Sequence, residues 1–183
     1  MLLHTLPTVM GEIFLLMDSS MLIYSGFCHP LDGNPRLSAD LRDHLAKQLR
    51  SSDRAVLNVS KYDLPLYPSL QTAVEQFDAY FQGRLQEFNL PVQFYGTGFQ
   101  QLVWGRLLKI PCGETITYGQ IASEIGRHRS VRAVGSAVGT NPLSIIVPCH
   151  RVLPASGGIG NYGGGIERKE ALLRIEGFAG KSA

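Results

Sequence analysis

The chain has 183 residues, 44% hydrophobic and 17% charged, with a formal net charge of +2, which suits one large domain or two small ones around a real apolar core. Its apolar runs, Ile13–Met17 among them, fall far short of the ~20 residues of a membrane span. The N-terminus lacks the basic, apolar and small-residue pattern of a secretory signal, so a cytoplasmic protein is expected.

Ile13–Met17 and Met21–Phe27 flank Asp18-Ser19-Ser20, a hairpin signal. Leu37, Leu41, Leu45 and Leu49 recur every four residues behind Asn34-Pro35, which predicts a helix. Leu70, Val74, Phe77 and Phe81 repeat that pattern, with Gly83 as its stop. Leu90–Tyr95 reads as a further strand. This mixed α/β half carries no obvious chemistry, and Gly96-Thr97-Gly98 marks its boundary, giving domains 1–95 and 96–183.

The second half reads as mainly α. Thr97 and Gln100 form a capping box for a helix to about Lys109 that holds the only tryptophan, Trp104. Thr117 and Gln120 form a second box for a short helix ended by Gly126. After the basic turn Arg127-His128-Arg129, another helix reaches about Gly139, with Val131, Val134 and Val138 on one face. Two short helices joined by a tight turn are a helix-turn-helix pattern. The outer face, Arg132, Gly135, Ser136 and Gly139, is almost bare of long side chains. A major-groove reader needs long polar side chains there, so this face is expected to press against a narrow groove instead. The last helix is expected over Glu167–Glu176.

Charge is divided unevenly. Residues 1–98 hold 7 Lys/Arg and 10 Asp/Glu, a net of −3, whereas residues 99–183 hold 10 Lys/Arg and 5 Glu, a net of +5. The basic half points to a polyanionic partner.

Cys149 and His150, in Pro148-Cys149-His150-Arg151-Val152, carry the chemistry. A thiol is a strong nucleophile only as the thiolate, and a nearby base supplies that state. Adjacent side chains of an extended segment point to opposite faces, so a water between sulfur and imidazole is expected, with Glu176 a candidate to orient the ring. Pro148 is expected to keep the segment from being helical. Gly158-Ile159-Gly160-Asn161-Tyr162-Gly163 fits a dinucleotide pattern, but about twenty residues remain after it, too few for the required βαβ unit; the loop is expected to bring backbone NH groups and one tyrosine to a flat ligand. Cys28-His29 lacks the further ligands of a structural zinc site. Cys28, Cys112 and Cys149 cannot all pair, which points to reduced thiols, and Cys112 reads as structural. No metal or cofactor is expected.

These residues resemble the O6-alkylguanine-DNA alkyltransferases, also called methylated-DNA–protein-cysteine methyltransferases. The likeness rests on Pro148 through Val152, Ile116-Thr117-Tyr118, Arg132 through Gly135, Asn141-Pro142, Asn161-Tyr162 and Lys169 through Glu176-Gly177. It is specific from about Gly96 to Gly177 and general before that. It implies an RNase H-like N-terminal domain and a winged-helix-like C-terminal one. It implies that Cys149 accepts an alkyl group, once and irreversibly, with His150 deprotonating it through water and Glu176 behind. Arg132 would fill the gap left by a flipped guanine, and Tyr118 would push the 3′ phosphate and hydrogen-bond the extruded base. Asn141 would brace the turn before Cys149, Tyr162 would wall the pocket, and the backbones of Val152 and Gly163 would contact the base. Thr117, Arg127, Arg129, Gly135, Ser136, Gly139 and Arg151 complete the expected DNA surface.

The implied partner is double-stranded DNA containing O6-alkylguanine, bound through the minor groove by a monomer. Some members carry serine at the position of Gly163 and a bulkier residue at that of Val138, which bears on pocket width. Zinc ligands and the metal-binding sensor domain of some relatives have no counterpart here, so no role in transcription is expected. A non-catalytic lesion binder and a turnover cysteine hydrolase are the other classes; Cys149 argues against the first, and a catalytic assay separates the second.

Overall fold

The computed structural model describes residues 1–27, 42–43, 45–46 and 55–178. The chain opens on three antiparallel strands, β1 (Leu2–Thr8), β2 (Gly11–Asp18) and β3 (Met21–Phe27), and a short β4 (Leu57–Asn58) lies parallel to β1, in the order β3-β2-β1-β4. The hairpin expected around Asp18-Ser19-Ser20 is β2–β3. Strand β1 lies outside the expected elements, and its Pro7 argues against a strand. Proline is tolerated at a sheet edge, and β1 pairs with β4 only through Leu2 and Leu3, so the outer side of Pro7 has no ladder to break.

Helix α1 (Pro68–Phe81) buries Leu70, Ala73, Val74, Phe77 and Tyr80, and Gly83 follows with φ +68°. Residues 42–43 and 45–46 are helical; Leu37, Leu41 and Leu49 of the proposed leucine helix lie outside the described residues, as do Cys28, His29 and His44. The expected strand over Leu90–Tyr95 shrinks to one bridge, Val92 beside Leu22.

The second half is built of α2 (Gly98–Leu107), β5 (Ile116–Thr117), α3 (Tyr118–Glu124), α4 (Val131–Gly139), β6 (Val152–Leu153) and α5 (Ile166–Ile175), with β5 and β6 paired in parallel. Both capping boxes form. Trp104 is fully buried and its indole NH donates to the carbonyl of Ala137 at 2.8 Å, pinning α2 to α4. Val134 and Val138 are buried as expected, but Val131, the first residue of α4, is 41% exposed. The end of α5 is a Schellman turn: Gly177 NH bonds the Arg174 carbonyl, Phe178 NH bonds that of Leu173, and Gly177 has φ +75°.

One apolar core runs through both halves, from Leu6, Ile13 and Phe77 to Trp104, Val147 and Leu172. The halves also share backbone pairing. Ser25 NH bonds the Pro142 carbonyl at 3.0 Å, and Ser144 NH bonds the Ser25 carbonyl at 2.8 Å. The Ser25 hydroxyl donates to the Ser144 carbonyl at 2.8 Å. The edge of β3 is thus capped by the segment that leads to Cys149.

Candidate active site

The Cys149 segment is tied down from several sides. After α4 the chain turns at Asn141, whose amide donates to the Val147 carbonyl at 2.7 Å and whose Oδ1 accepts from Leu143 NH at 3.0 Å. Ile145, inside this turn, has φ +78°, a strained value for a β-branched residue that the flanking bonds must hold. Cys149, His150 and Arg151 then form one turn of 3-10 helix, where an extended segment was expected. Pro148 precedes the first residue of that turn and forfeits no hydrogen bond within it.

Cys149 sits on the wall of a cavity of about 490 Å³, within the range of small-molecule sites. Tyr118 and the Gly135, Val138 and Gly139 face of α4 line one side; Asn161, Tyr162, Gly163 and Gly164 line another; Tyr24, Gly26, Phe27 and Arg168 close it. The cavity therefore brings together Cys149, Asn141, Tyr118, Gly135, Gly139, Tyr162 and Gly163 of the expected residues. A side chain at Gly135 would touch the Tyr118 ring, its Cβ 3.9 Å away, and at Gly139 it would enter open space. Gly164 is under tighter constraint: a Cβ there would lie 2.7 Å from Tyr162 Cε1 and 3.2 Å from Phe27 Cδ2.

Burial pushes the Cys149 thiol up, against the hydrogen bond from Asn141 and the charge of Lys169, so the resting group is a thiol. Burial pushes His150 below its ordinary 6.5, against Glu176, so the resting imidazole is neutral. Its Nε2 lies 2.8 Å from Glu176 Oε1, both side chains fully buried. For Glu176, burial opposes ionisation, but the hydrogen bonds and charges of His150 and Arg151 hold its carboxyl well below the usual range. A carboxylate accepts only, so Nε2 carries the proton and Nδ1 presents a lone pair. Nδ1 bonds no other protein group among the described residues. Tyr118, half-buried near Cys149, is raised by burial and then by that sulfur.

Arg151 corrects one expectation. Expected on the DNA surface, it is only 7% exposed. Its Nε and Nη2 grip Glu176 Oε2 and Oε1 at 2.8 Å each, and its Nη1 donates to the Ile110 carbonyl. A carboxylate at a helix C-terminus opposes the helix dipole, and the guanidinium offsets that. Lys169 is also fully buried, donating to the Val152 carbonyl at 2.8 Å, and burial pushes it down to about 8. Val152 is buried and off the cavity wall, and the Thr117 hydroxyl is engaged in its capping box. The cations of the second half that face outward at the helix pair are Arg127, Arg129 and Arg132, all exposed, beside exposed Ser136 and Gly139.

Three contributors escaped the sequence reading because they lie in the half that showed no chemistry: Tyr24, Phe27 and Tyr80. Arg168 was also missed. Its guanidinium stacks 4.5 Å from the centre of the Phe27 ring and donates to the carbonyls of Met10 at 2.9 Å and Gly164 at 3.1 Å. No cluster of three or more His, Cys, Asp or Glu able to hold a metal occurs among the described residues. No helix there is long and apolar enough to cross a membrane.

Two family models match. Residues 1–94 fit the ribonuclease-like domain of 6-O-methylguanine DNA methyltransferase, and residues 98–178 fit its DNA-binding domain. The chain belongs to this family. A methylated-DNA–protein-cysteine methyltransferase of Mycobacterium bovis is 58% identical over 104 residues, 57% of this chain and 63% of that protein. The Mycobacterium leprae protein of the same description is 52% identical over 113 residues, 62% of this chain and 68% of that protein. The alignment thus spans a little under two thirds of the first of these relatives. The crystal structure of Mycobacterium tuberculosis OGT in complex with DNA superposes with a TM-score of 0.76 at 38% identity, covering 96% of this chain and 92% of that one. The O6-methylguanine-DNA methyltransferase of Pyrococcus kodakaraensis gives 0.56 at 29% identity, covering 96% of this chain and 98% of that one. The ribonuclease-like and DNA-binding halves of the family are therefore the α/β and mainly α halves described above.

Proposed function

We propose that this protein repairs DNA by direct reversal, moving the alkyl group of O6-alkylguanine, and of O4-alkylthymine where it fits, onto Cys149. The observation that carries the reading is a buried thiol on a cavity wall, held by Asn141 at 3.1 Å, beside a neutral imidazole whose far nitrogen is fixed by Glu176. The relatives bearing the methyltransferase description support it, as does the DNA complex of the mycobacterial protein.

The base reaches Cys149 by leaving the duplex, since its O6 is out of reach within the stack. Arg132, exposed on α4, fills the gap, and Tyr118 contacts the extruded base and its 3′ phosphate. Gly135, Ser136 and Gly139 let α4 lie close in the minor groove, while Arg127 and Arg129 meet phosphates. Such binding tolerates sequence and weakens as salt rises. His150 Nδ1 takes the thiol proton through a water. Sulfur then bonds the alkyl carbon as the carbon–O6 bond breaks. The electron pair stays on guanine, which is quenched by a proton, with Tyr118 the donor on the cavity wall. The partner is duplex DNA bound by a monomer, in a reducing cytoplasm that keeps the thiol free.

The product is a thioether, with no carbonyl for water to attack, so the protein acts once. Intact mass after incubation with a duplex containing O6-methylguanine tests this. One methyl per molecule is expected, on the peptide containing Cys149, and none in Cys149→Ser. Continued turnover, or an increment on Cys28 or Cys112, would overturn the reading.

A further inference from the structure

Four hydrogens converge on the buried carboxylate of Glu176. Three come from the second half of the chain: His150 Nε2 and Arg151 Nη2 on Oε1, and Arg151 Nε on Oε2, each at 2.8 Å. The fourth comes from α1. The hydroxyl of Tyr80 donates to Oε1 at 2.7 Å, across 96 residues of sequence. Tyr80 is 1% exposed, and its ring packs against Phe81 and Phe88 at 5.5 and 5.4 Å.

The aromatic packing explains a phenylalanine at this position; it does not explain a hydroxyl. Charge compensation does not explain it either, because Arg151 already neutralises Glu176 with a bidentate grip. What the hydroxyl changes is Oε1, the oxygen that holds His150. An acceptor already saturated by two other donors pulls less on the imidazole proton and stabilises imidazolium less.

We propose that Tyr80 is a positioning residue of the Cys149 proton relay, fixing Glu176 from the N-terminal half and sharing Oε1 so that His150 remains a neutral base. This rests on the alkyl-transfer reading above. The N-terminal half then tunes the site as well as supporting it. Burial, and then Glu176, keep the phenol protonated across the working range, so it always donates. The other groups facing this pair are Arg151 and Lys169 toward the imidazole, and Cys112, Arg151 and Tyr162 toward the carboxylate. Tyr80→Phe leaves every one of these side chains in place, and Arg151 and Tyr162 also face the phenol itself.

Tyr80→Phe keeps the ring and removes only the donor. The single-turnover methyl-transfer rate, measured against pH on O6-methylguanine duplex, should show its acid-side midpoint rise by about one pH unit. Difluorotyrosine placed at position 80 donates more strongly and should move the midpoint the other way. The two variants also report in DNA-free protein: the imidazole Nε2–H proton resonance should shift downfield in Tyr80→Phe and upfield with difluorotyrosine. Midpoints and resonance both unchanged, or both variants moving the same way, would overturn the proposal. If no alkyl transfer to Cys149 occurs in the unmodified protein, the functional reading fails, and the resonance still decides the Tyr80–Glu176–His150 link.

Discussion

The amide nitrogen of Asn141 lies 3.1 Å from Sγ of Cys149 and donates to it, while its second hydrogen goes to the Val147 carbonyl at 2.7 Å. One side chain therefore braces the turn and supplies a hydrogen-bond donor to the Cys149 sulfur, the proposed nucleophile. The Cys149 thiol is raised by burial, and this donor is the foremost group opposing that rise. A hydrogen bond to a charged acceptor contributes about 1.5–3 kcal/mol. Asn141→Ala should therefore slow single-turnover transfer by about 10- to 100-fold. Asn141→Asp, which sets an acceptor against the forming thiolate, should slow it further. The pH dependence of Cys149 labelling by iodoacetamide should move upward in both. Transfer within twofold of the unmodified protein in Asn141→Ala would show that the donor is unused.

Acid should destabilise the fold through the same site. His150 is held below its ordinary 6.5 and Glu176 below its ordinary 4.5. In the unfolded chain both take up protons at a higher pH than in the folded one, so the unfolded state binds more protons and stability falls with falling pH. The His150 contribution is lost from about 6.5 downward, and that of Glu176 from about 4.5 downward. Glu176→Gln leaves Arg151 as a buried cation without its counter-ion, which should cost about 3–5 kcal/mol at pH 7. Denaturant unfolding across pH checks the sign: the gap between the two proteins should narrow below about pH 4.5. A gap that stays constant there would mean that Glu176 is not ionised in the fold.

Cys149, His150 and Glu176, the proposed nucleophile, base and orienting group, stand out in the sequence because local punctuation flanks them, Pro148 before Cys149 and Gly177 after Glu176. The capping boxes at Thr97 and Thr117 were legible for the same reason, since their partners lie three residues away. Arg151 was misread because a cation next to the site in a basic half looks like a DNA contact, whereas its partner Glu176 lies 25 residues on. Tyr80 was invisible as chemistry. It falls three residues after Phe77 on the buried face of an amphipathic helix, where an aromatic is expected anyway, and its hydroxyl finds its partner only through the packing of the two halves. Phe27 reads as the last apolar residue of a strand until β3 is seen running beside Pro142–Ser144.

Arg132 should matter for extrusion rather than for the chemistry at sulfur. It is exposed on α4 and does not line the cavity. Flipping a base costs a few kcal/mol, which a side chain in the vacated space partly offsets. Arg132→Ala should slow repair of a methylated duplex by at least about tenfold, and leave transfer from the free modified base within about twofold. Equal losses on both substrates would remove the finger role.

The last prediction concerns substrate width. Phe27, from the N-terminal half, closes the cavity under the Arg168 guanidinium, and the Tyr162 ring is packed with Phe27 against Gly164. Phe27→Leu removes the flat wall and the cation–π contact, which contributes about 0.5–2 kcal/mol, without adding bulk. The Arg168 bonds to Met10 and Gly164 still hold the glycine loop, so the cavity should widen rather than collapse. Methyl transfer should change little, because the smaller group gains less from added width. Benzyl transfer from O6-benzylguanine should quicken relative to methyl transfer, by about tenfold or more if one added methylene-sized contact becomes available. Gly164→Ala should act oppositely: its Cβ would force Tyr162 or Phe27 inward, at a stability cost of about 1–3 kcal/mol, and should penalise benzyl more than methyl. Rate ratios measured on the two substrates for the unmodified protein and both variants decide the matter. If both variants leave the ratio unchanged, this wall does not set the size of the group transferred.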